Sequence, residues 1–288
     1  MPPKTIGLIA HTGKPGVAEL IKGVGEEFAR CNIAVRMEKT AAELIGQTSD
    51  ATIAELGQET DLLVVLGGDG TILNVAGQLG KNMKPIFGIN VGSLGFLTCS
   101  NSAAYREAVD SIANGRITFS ERTLLEVKVI SQGKEISSAI GLNDAVLSRG
   151  KLSRLIQLRA RVNGEPLTEF NADGIIVATP TGSTAYSLSA GGPIMAPESG
   201  VFVITPICPH VLTNRSVIVR EDSLIEIEVT DPDDPVYLTV DGREPVRTDV
   251  GCVIAMRKAE KTLPLAVMPD VSFFSVVRQK LKWSGSNI

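Results

Sequence analysis

Apolar residues in the first hundred positions fall into short runs that alternate with segments of helical period. The run Leu62–Leu66 is apolar at every position, which is typical of a parallel strand covered on both faces. Strands separated by helices in this way predict an α/β domain with a parallel sheet. The predicted strands are Thr5–Ala10, Ile33–Met37, Asp61–Leu66 and Pro85–Ile89, and the predicted helices are Val17–Cys31, Ile72–Leu79 and Ser102–Ala113.

The pattern changes after about Phe119, where β-branched and alternating runs are separated by turns rich in Gly, Asn, Asp and Pro. This pattern predicts antiparallel strands in an all-β, sandwich-like domain. Helical character returns only near the end of the chain, over Ser272–Lys282. The predicted strands are Leu124–Ile130, Ser137–Ser148 with a polar break at Asn143-Asp144, Leu155–Val162, Leu224–Val229 and Val236–Val240.

Composition narrows the class of protein. Hydrophobic residues make up 43% of the 288 positions and charged residues 21%, as in soluble globular proteins, and no apolar run approaches the roughly 20 residues of a membrane span. The N-terminus lacks the features of a secretory signal, so we expect a cytoplasmic protein without a membrane partner. A net charge of −4 does not favour nucleic acid as a partner. The four cysteines form no C-x-x-C pair, which argues against zinc and disulfides, and two histidines give little support to a Ser-His-Asp hydrolase.

A glycine-rich turn follows the most apolar strand and precedes a predicted helix. It reads Gly67-Gly68-Asp69-Gly70-Thr71, and open α/β sheets bind ligands at this position, beyond the carboxyl ends of their strands. Glycines let a phosphate approach the backbone, and the N–H groups of the helix start favour an anion, with Thr71 as the predicted helix cap. An aspartate repels phosphate unless it holds a metal or faces the attacking hydroxyl, so Asp69 indicates chemistry rather than simple binding. The chain has neither the P-loop pattern nor a Gly-x-Gly-x-x-Gly after the first strand.

Three further stretches, taken with this turn, resemble the NAD kinase family. The turn alone is shared with diacylglycerol kinases, sphingosine kinases and 6-phosphofructokinases. The discriminating segment is Asp173–Pro193, which is similar to the family signature nearly throughout. Asn143-Asp144 resembles the Asn-Glu/Asp pair of the family, and Gly88–Thr98 is also similar to its members. The motifs occur in family order over residues 67–193.

The resemblance implies ATP-dependent transfer of a phosphoryl group to the 2′-hydroxyl of the adenosine ribose of NAD, with Mg²⁺ or another divalent metal accompanying ATP. It implies two domains, 1–119 with 265–288 and 120–264, of which the second binds NAD, and usually a homodimer or homotetramer. No residue is assigned as a metal ligand.

The same resemblance assigns roles to particular residues. Asp69 matches the proposed catalytic base. A carboxylate is far less basic than an alkoxide, so we expect Asp69 to orient the hydroxyl and to accept its proton late. Gly70 lies beside it at the dinucleotide, Asn143 and Asp144 match adenosine contacts, and Asp173 matches a position near the nicotinamide ribose. The remaining ligand-contacting positions are Gly67, Gly68, Thr71, Arg154, Asn171, Thr184, Ala185, Tyr186, Ser187, Leu188 and Ser189, with Tyr186 near the adenine.

The chain departs from the family pattern at two positions. Arg243 stands where members often carry Gln, and Asn171 where some carry a basic residue. Two alternatives stay open from the residues alone. A lipid kinase sharing the turn would be expected to have an apolar acceptor pocket, and a non-catalytic dinucleotide sensor would use the same fold. The choices between ATP and polyphosphate, and between NAD and NADH, are also open.

Overall fold

The structure is a computed structural model, which describes residues 2–80, 82–92, 95–150, 155–211, 213–230 and 236–283. The chain divides into two compact units, Met1–Glu121 with Leu263–Ile288, and Arg122–Thr262. Its helices are α1 Val17–Arg30, α2 Lys39–Leu44, α3 Ile53–Glu59, α4 Asp69–Leu79, α5 Tyr105–Ala113, α6 Tyr186–Ser189 and α7 Phe273–Lys280. Its strands are β1 Thr5–Ala10, β2 Ala34–Met37, β3 Leu62–Leu66, β4 Ile86–Asn90, β5 Ser100–Asn101, β6 Thr118–Arg122, β7 Leu125–Ser131, β8 Lys134–Gly141, β9 Asp144–Arg149, β10 Ile156–Val162, β11 Glu165–Ala172, β12 Gly174–Ala178, β13 Val201–Ile207, β14 Val217–Arg220, β15 Ile225–Val229, β16 Val236–Val240, β17 Val246–Thr248, β18 Val253–Lys258 and β19 Leu263–Val267.

The first unit is built on one sheet with the strand order β2-β1-β3-β4-β19-β6, and β5 pairs with β4. The pairs β1 with β2, β1 with β3, β3 with β4, and β4 with β19 are all parallel. Every residue of β3 and β4 is buried, because helices cover both faces of the sheet centre. The predicted parallel α/β domain is confirmed, and β19 brings the end of the chain back to this sheet.

The helices of the first unit follow from apolar spacing and from caps. Helix α1 buries Val17, Leu20, Ile21, Val24 and Phe28, which lie on one face at helical spacing. The sequence prediction missed α2 and α3, which are only six and seven residues long. Both begin at a side-chain cap: the Glu38 carboxylate accepts from the first N–H groups of α2, and Thr52 with Glu55 forms a capping box on α3.

The second unit is the predicted β-sandwich. One antiparallel sheet has the order β11-β10-β15-β18-β7-β8 and the other β14-β13-β12-β9-β16-β17. Alternate residues of the first sheet, such as Val127 and Ile227, share a core with Leu147, Val177 and Phe202 of the second. The run predicted over Ser137–Ser148 forms two strands, β8 and β9, that meet at Leu142 and Asn143.

Two further findings concern the chain as a whole. Among the described residues, no helix is both long enough and apolar enough to cross a bilayer. Cys31, Cys99, Cys208 and Cys252 are all free thiols. The fold therefore depends on apolar burial and hydrogen bonding rather than on disulfides.

Candidate active site

The glycine-rich turn is the junction between β3 and α4. The backbone N–H of Gly67 donates to the carbonyl of Ile89 on the neighbouring strand at 3.0 Å. A Cβ on Gly67 would come closer than 3.0 Å to the Thr71 side chain, so only glycine fits there. The sequence prediction that Thr71 caps the helix is wrong, because α4 begins three residues before the predicted Ile72 and its cap position is Gly68. No side chain caps this helix, and Thr71 lies in its first turn.

The Asp69 carboxylate is held by a loop of the same unit. Oδ2 accepts a hydrogen bond from the backbone N–H of Phe96 at 2.9 Å, and Oδ1 accepts from that of Leu97 at 3.1 Å. A Cβ on Gly95 would come closer than 3.0 Å to both carboxylate oxygens, so glycine leaves the room that the carboxylate occupies. Asp69 itself is half-buried. Its carboxylate is thus fixed in direction and keeps free lone pairs on both oxygens.

A cleft of about 790 Å³ lies in the first unit beside the glycine-rich turn. It is bordered by residues that follow the carboxyl ends of β1, β2 and β3, as expected for a ligand site in an open α/β sheet. Its lining includes the ionisable side chains of His11, Lys14, Glu38 and Lys39, together with Gly68 and Gly70. Asp69 does not line this cleft.

In the second unit, a buried aspartate holds the segment that the sequence singled out at Asn143-Asp144. Asp241 accepts from the backbone N–H of Leu142 at 2.8 Å, of Asn143 at 2.7 Å and of Asp144 at 3.1 Å. The N–H of Asp241 donates in return to the Asp144 carbonyl at 3.0 Å. The Asp241 side chain is 1% exposed. Sequence reasoning missed this residue, and the only local signal was the Asp-Gly turn that follows β16.

The two carboxylates in this region are electrostatically coupled. Burial raises the pKa of Asp144 to about 7, and the nearby charge of Asp241 adds to the rise. Burial also raises the pKa of Asp241, against the lowering effect of its three N–H donors and of Arg243. Asp144 therefore changes its charge near neutral pH.

Arg243 is occupied by protein contacts. Its Nε donates to the Val240 carbonyl at 3.0 Å, its guanidinium also donates to the Ile140 carbonyl, and it lies 3.9 Å from the Asp241 carboxylate. Arg243, which stands where the family resemblance leads us to expect Gln, thus supports the turn that carries Asp241.

The segment from Thr179 to Ser189 packs against the Asn143 backbone. The N–H of Thr179 donates to the Asn143 carbonyl at 2.9 Å, and a Cβ on Gly182 would come closer than 3.0 Å to that carbonyl oxygen. The structure therefore brings Asn143, Asp144 and the start of this segment together. Tyr186, 47% exposed, and Ser189 point outward, whereas the buried Ser187 hydroxyl pairs with Thr205 at 3.1 Å. Thr184, Ala185 and Leu188 are half-buried.

Other predicted site residues lie at the opposite end of the same strands. Asp173 precedes β12 and forms an ion pair with Arg149 at 2.9 Å, whereas Asp144 pairs with Ala178 at the other end of that strand. The five residues of β12 span about 17 Å at a rise of about 3.3 Å each. Asn171 is exposed on β11. Arg154 lies outside the described residues.

Comparisons with known proteins cover both units. Residues 6–117 match the family model described as the ATP-NAD kinase N-terminal domain, and residues 142–267 match that of the ATP-NAD kinase C-terminal domain. The chain is 40% identical over 280 residues to the NAD kinase of Solibacter usitatus, which covers 97% of this chain and 98% of that protein. It is 44% identical over 243 residues to the NAD kinase of Trichlorobacter lovleyi, which covers 84% and 85% of the two chains.

Two solved structures are similar in fold. Yeast NADH kinase complexed with NADH superposes with a TM-score of 0.91 at 28% identity, covering 100% of this chain and 90% of that one. An NAD kinase from Archaeoglobus fulgidus in complex with ATP gives a TM-score of 0.76 at 25% identity, covering 98% and 100%. Together with the family models, these likenesses extend over nearly the whole chain.

Proposed function

This chain belongs to the NAD kinase family, and from that premise we propose that it transfers the γ-phosphoryl group of ATP to the 2′-hydroxyl of the adenosine ribose of NAD, giving NADP and ADP. The observation that carries the proposal is the carboxylate of Asp69, fixed by two backbone N–H groups at a glycine-rich helix start. A simple phosphate-binding turn has no use for a carboxylate that is held in one direction. A kinase needs such a group for the acceptor hydroxyl.

Asp69 is proposed to orient the acceptor hydroxyl and to take its proton. The bond between O2′ and Pγ forms as the bond between Pγ and the bridging oxygen of ADP breaks, and the hydroxyl proton passes to the carboxylate late in the step. The N–H groups of Phe96 and Leu97 hold the carboxylate in one orientation before the substrate binds. Phosphoryl transfer depends chiefly on such positioning of the reacting groups.

Mg²⁺ is proposed to enter with the donor as Mg·ATP and to offset the negative charge of the phosphate oxygens. Within the described residues, no three His, Cys, Asp or Glu side chains are grouped as a metal cage. Phosphate oxygens and water are hard ligands that suit Mg²⁺, which is commonly bound through one or two carboxylates plus substrate phosphates. Phosphate oxygens of ATP and water would therefore supply most of the ligands of Mg²⁺, which fits a metal that enters with the nucleotide.

The second unit is proposed to recognise NAD. Asn143 and Asp144 would contact the adenosine, since an amide and a carboxylate match the donors and acceptors of adenine and ribose. The Oδ1 atom of Asn143 supports this role, because it is buried without a hydrogen-bond partner among the described residues. The exposed ring of Tyr186 is proposed to lie against the adenine and Asp173 near the nicotinamide ribose. The remaining ligand contacts are proposed at Asn171, Arg154, Thr184, Ala185, Ser187, Leu188 and Ser189.

We further propose a cytoplasmic homodimer or homotetramer that has neither nucleic acid nor a membrane as a partner. The family resemblance supports the oligomer, and the net charge of −4 supports the absence of a nucleic-acid partner. Sedimentation velocity of the purified chain measures the assembly, and a monomer at micromolar concentration would contradict it.

The assay for the activity uses purified protein, Mg·ATP and NAD, with NADP measured by an NADP-specific dehydrogenase. Asp69→Asn should keep NAD binding in calorimetry and lose about 10²- to 10⁴-fold in turnover. Asp61→Asn is the matched control, because Asp61 also accepts from two backbone N–H groups, those of Lys4 and Thr5, at 2.8 and 3.0 Å. Full activity of Asp69→Asn would refute the role of Asp69. Wild-type protein that binds NAD without forming NADP would favour a sensor, and phosphorylation of diacylglycerol instead would favour a lipid kinase.

A further inference from the structure

Helix α6 is short and has two opposite sides. It contains four residues, Tyr186–Ser189, and no side chain caps its start. Tyr186 is 47% exposed, whereas the next residue, Ser187, is fully buried. A helix of four residues is too short to be stable by itself, so contacts with the rest of the fold must fix its position.

Thr205 of β13 provides such a contact. The hydroxyl oxygens of Ser187 and Thr205 lie 3.1 Å apart, which is a hydrogen bond between two fully buried groups. Thr205 pairs with Ile176 of β12, and β14 lies on the other side of β13. The hydrogen bond therefore joins α6 to a strand that is held by neighbours on both sides.

The surroundings of Thr205 are otherwise apolar. Alternate residues of a strand face the same side of the sheet, and Val203 and Ile207 on that side belong to an apolar cluster that Ala190 also contacts. A hydroxyl buried in such a surface without a partner is destabilising. Because Ser187 is the partner, the pair specifies one position of α6 on this surface.

The chain that follows α6 encloses the two hydroxyl groups. The N–H of Gly192 donates to the Ser187 carbonyl at 2.8 Å. A Cβ on Gly192 would come closer than 3.0 Å to the hydroxyl oxygens of both Ser187 and Thr205, so only glycine fits there. The Ser187 hydroxyl is thus engaged within the protein, and a ligand contact of Ser187 is left to its main chain.

We infer that the hydrogen bond between Ser187 and Thr205 positions the ring of Tyr186 for the adenine of NAD, and that Thr205 is a positioning residue that does not touch the ligand. Successive residues of an α-helix are about 100° apart around its axis, so a fixed Ser187 also fixes the direction in which Tyr186 emerges. The inference rests on the proposed function, in which Tyr186 lies against the adenine.

Thr205→Val tests the inference, because it removes the hydroxyl and keeps the shape of the side chain. KM for NAD should rise about fivefold to tenfold and kcat should stay within about twofold of the wild type, since part of the stacking between base and ring is lost. In a Tyr186→Ala background, the same substitution should change KM by less than about twofold, because the ring through which Thr205 acts is gone. Thr205→Ser keeps a hydroxyl and should have a KM within about twofold of the wild type.

Thr248→Val is the matched control. The Thr248 hydroxyl is also fully buried and donates to the Val236 carbonyl at 2.9 Å. Its strand, β17, is four positions from β13 in the same sheet, a distance of about 19 Å at about 4.8 Å per strand. Thr248→Val should lower the temperature of unfolding about as much as Thr205→Val does and leave KM for NAD unchanged, which separates positioning from a general loss of stability.

Hydrogen exchange tests the contact without a ligand. The amides of Ala190 and Gly192 donate to the Tyr186 and Ser187 carbonyls. In Thr205→Val they should exchange at least about tenfold faster than in the wild type, while the amides of β12 keep their rates.

A wild-type KM for NAD in Thr205→Val, or an equal rise in KM with and without the Tyr186 ring, would overturn the positioning role. Unchanged exchange at Ala190 and Gly192 would overturn it whether or not NAD binds. A wild-type protein that forms no NADP would instead refute the proposed function, and the exchange rates would still decide whether Thr205 holds α6.

Discussion

Replacing Asp241 by Asn tests whether a buried carboxylate positions the adenosine-binding pair. Asp241 Oδ1 accepts from Asn143 and Asp144, and Oδ2 accepts from Leu142. An Asn side chain keeps one oxygen and directs an amino group at the remaining N–H. One buried donor is then unsatisfied, which costs about 1–3 kcal/mol, and the two retained bonds become neutral and weaker.

We expect Asp241→Asn to lower the free energy of unfolding by a net amount of about 2 kcal/mol. The loss of hydrogen bonds is partly offset because the substitution also removes a buried charge. The net loss corresponds to a fall of about 4–8 °C in the temperature of unfolding. KM for NAD should rise about 5- to 30-fold with kcat little changed at saturating NAD, because the pair loses uniform binding rather than transition-state contacts. Steady-state kinetics with NAD as the varied substrate, together with calorimetric unfolding, measure both effects.

Asp222→Asn is the control, because that exposed carboxylate pairs with Arg220 at 2.6 Å on the surface of the same unit and should change stability by less than about 0.5 kcal/mol. If Asp241→Asn lowers stability and leaves KM for NAD at the wild-type value, Asp241 supports the fold only. If it changes neither, the reasoning from its three hydrogen bonds is wrong.

Three further outcomes follow from the described contacts. The raised pKa of Asp144 means that the folded state keeps a proton that the unfolded chain releases, so the contribution of this group to stability falls as pH rises from about 4 through about 7. Between pH 4 and pH 8 the free energy of unfolding of the wild type should change less favourably than that of Asp144→Asn, by at most about 4 kcal/mol, and equal changes in the two proteins would contradict the shift. Gly95→Ala forces the Asp69 carboxylate away from its N–H donors and should lower kcat about a hundredfold with little change in unfolding temperature, whereas unchanged kcat argues against the positioning role. Gly182→Ala drives a Cβ into the Asn143 carbonyl and should destabilise the second unit by more than about 3 kcal/mol in urea, and a stable variant would contradict the packing described.

Apolar period was sufficient to predict the main strands. The bounds of β1 and β16 agree with the predicted strands Thr5–Ala10 and Val236–Val240. The spacing of apolar residues did not reveal α2 and α3, because neither helix is long enough to repeat an apolar face over two full turns. The pair Thr52 and Glu55 has the spacing of a capping box, so a search for helix starts would have found α3.

The candidate site likewise contains parts that the sequence could predict from neighbouring residues and parts that depend on contacts between distant residues. Asp69 is recognisable because its glycines and the strand before it are adjacent in sequence. Its N–H donors are 27 and 28 residues away, and Asp241 is 97 to 99 residues from the segment it holds. Neither Phe96 nor Leu97 contributes a side chain to these bonds, so no residue type marks them. Backbone donors placed by tertiary structure leave no pattern that a single sequence displays.

The aspartates that accept backbone N–H groups differ in what their surroundings allow. Asp61, Asp69 and Asp241 accept two, two and three such bonds. Asp61 is exposed and holds the start of β1, and Asp241 is 1% exposed and cannot meet a ligand without moving its turn. Asp69 alone combines a fixed carboxylate, partial exposure and neighbouring glycines whose missing side chains leave the approach open. Hydrogen bonding therefore fixes the orientation of all three carboxylates. Exposure to a ligand distinguishes them: it suits Asp69 to a role in the reaction and leaves Asp241 to support the fold.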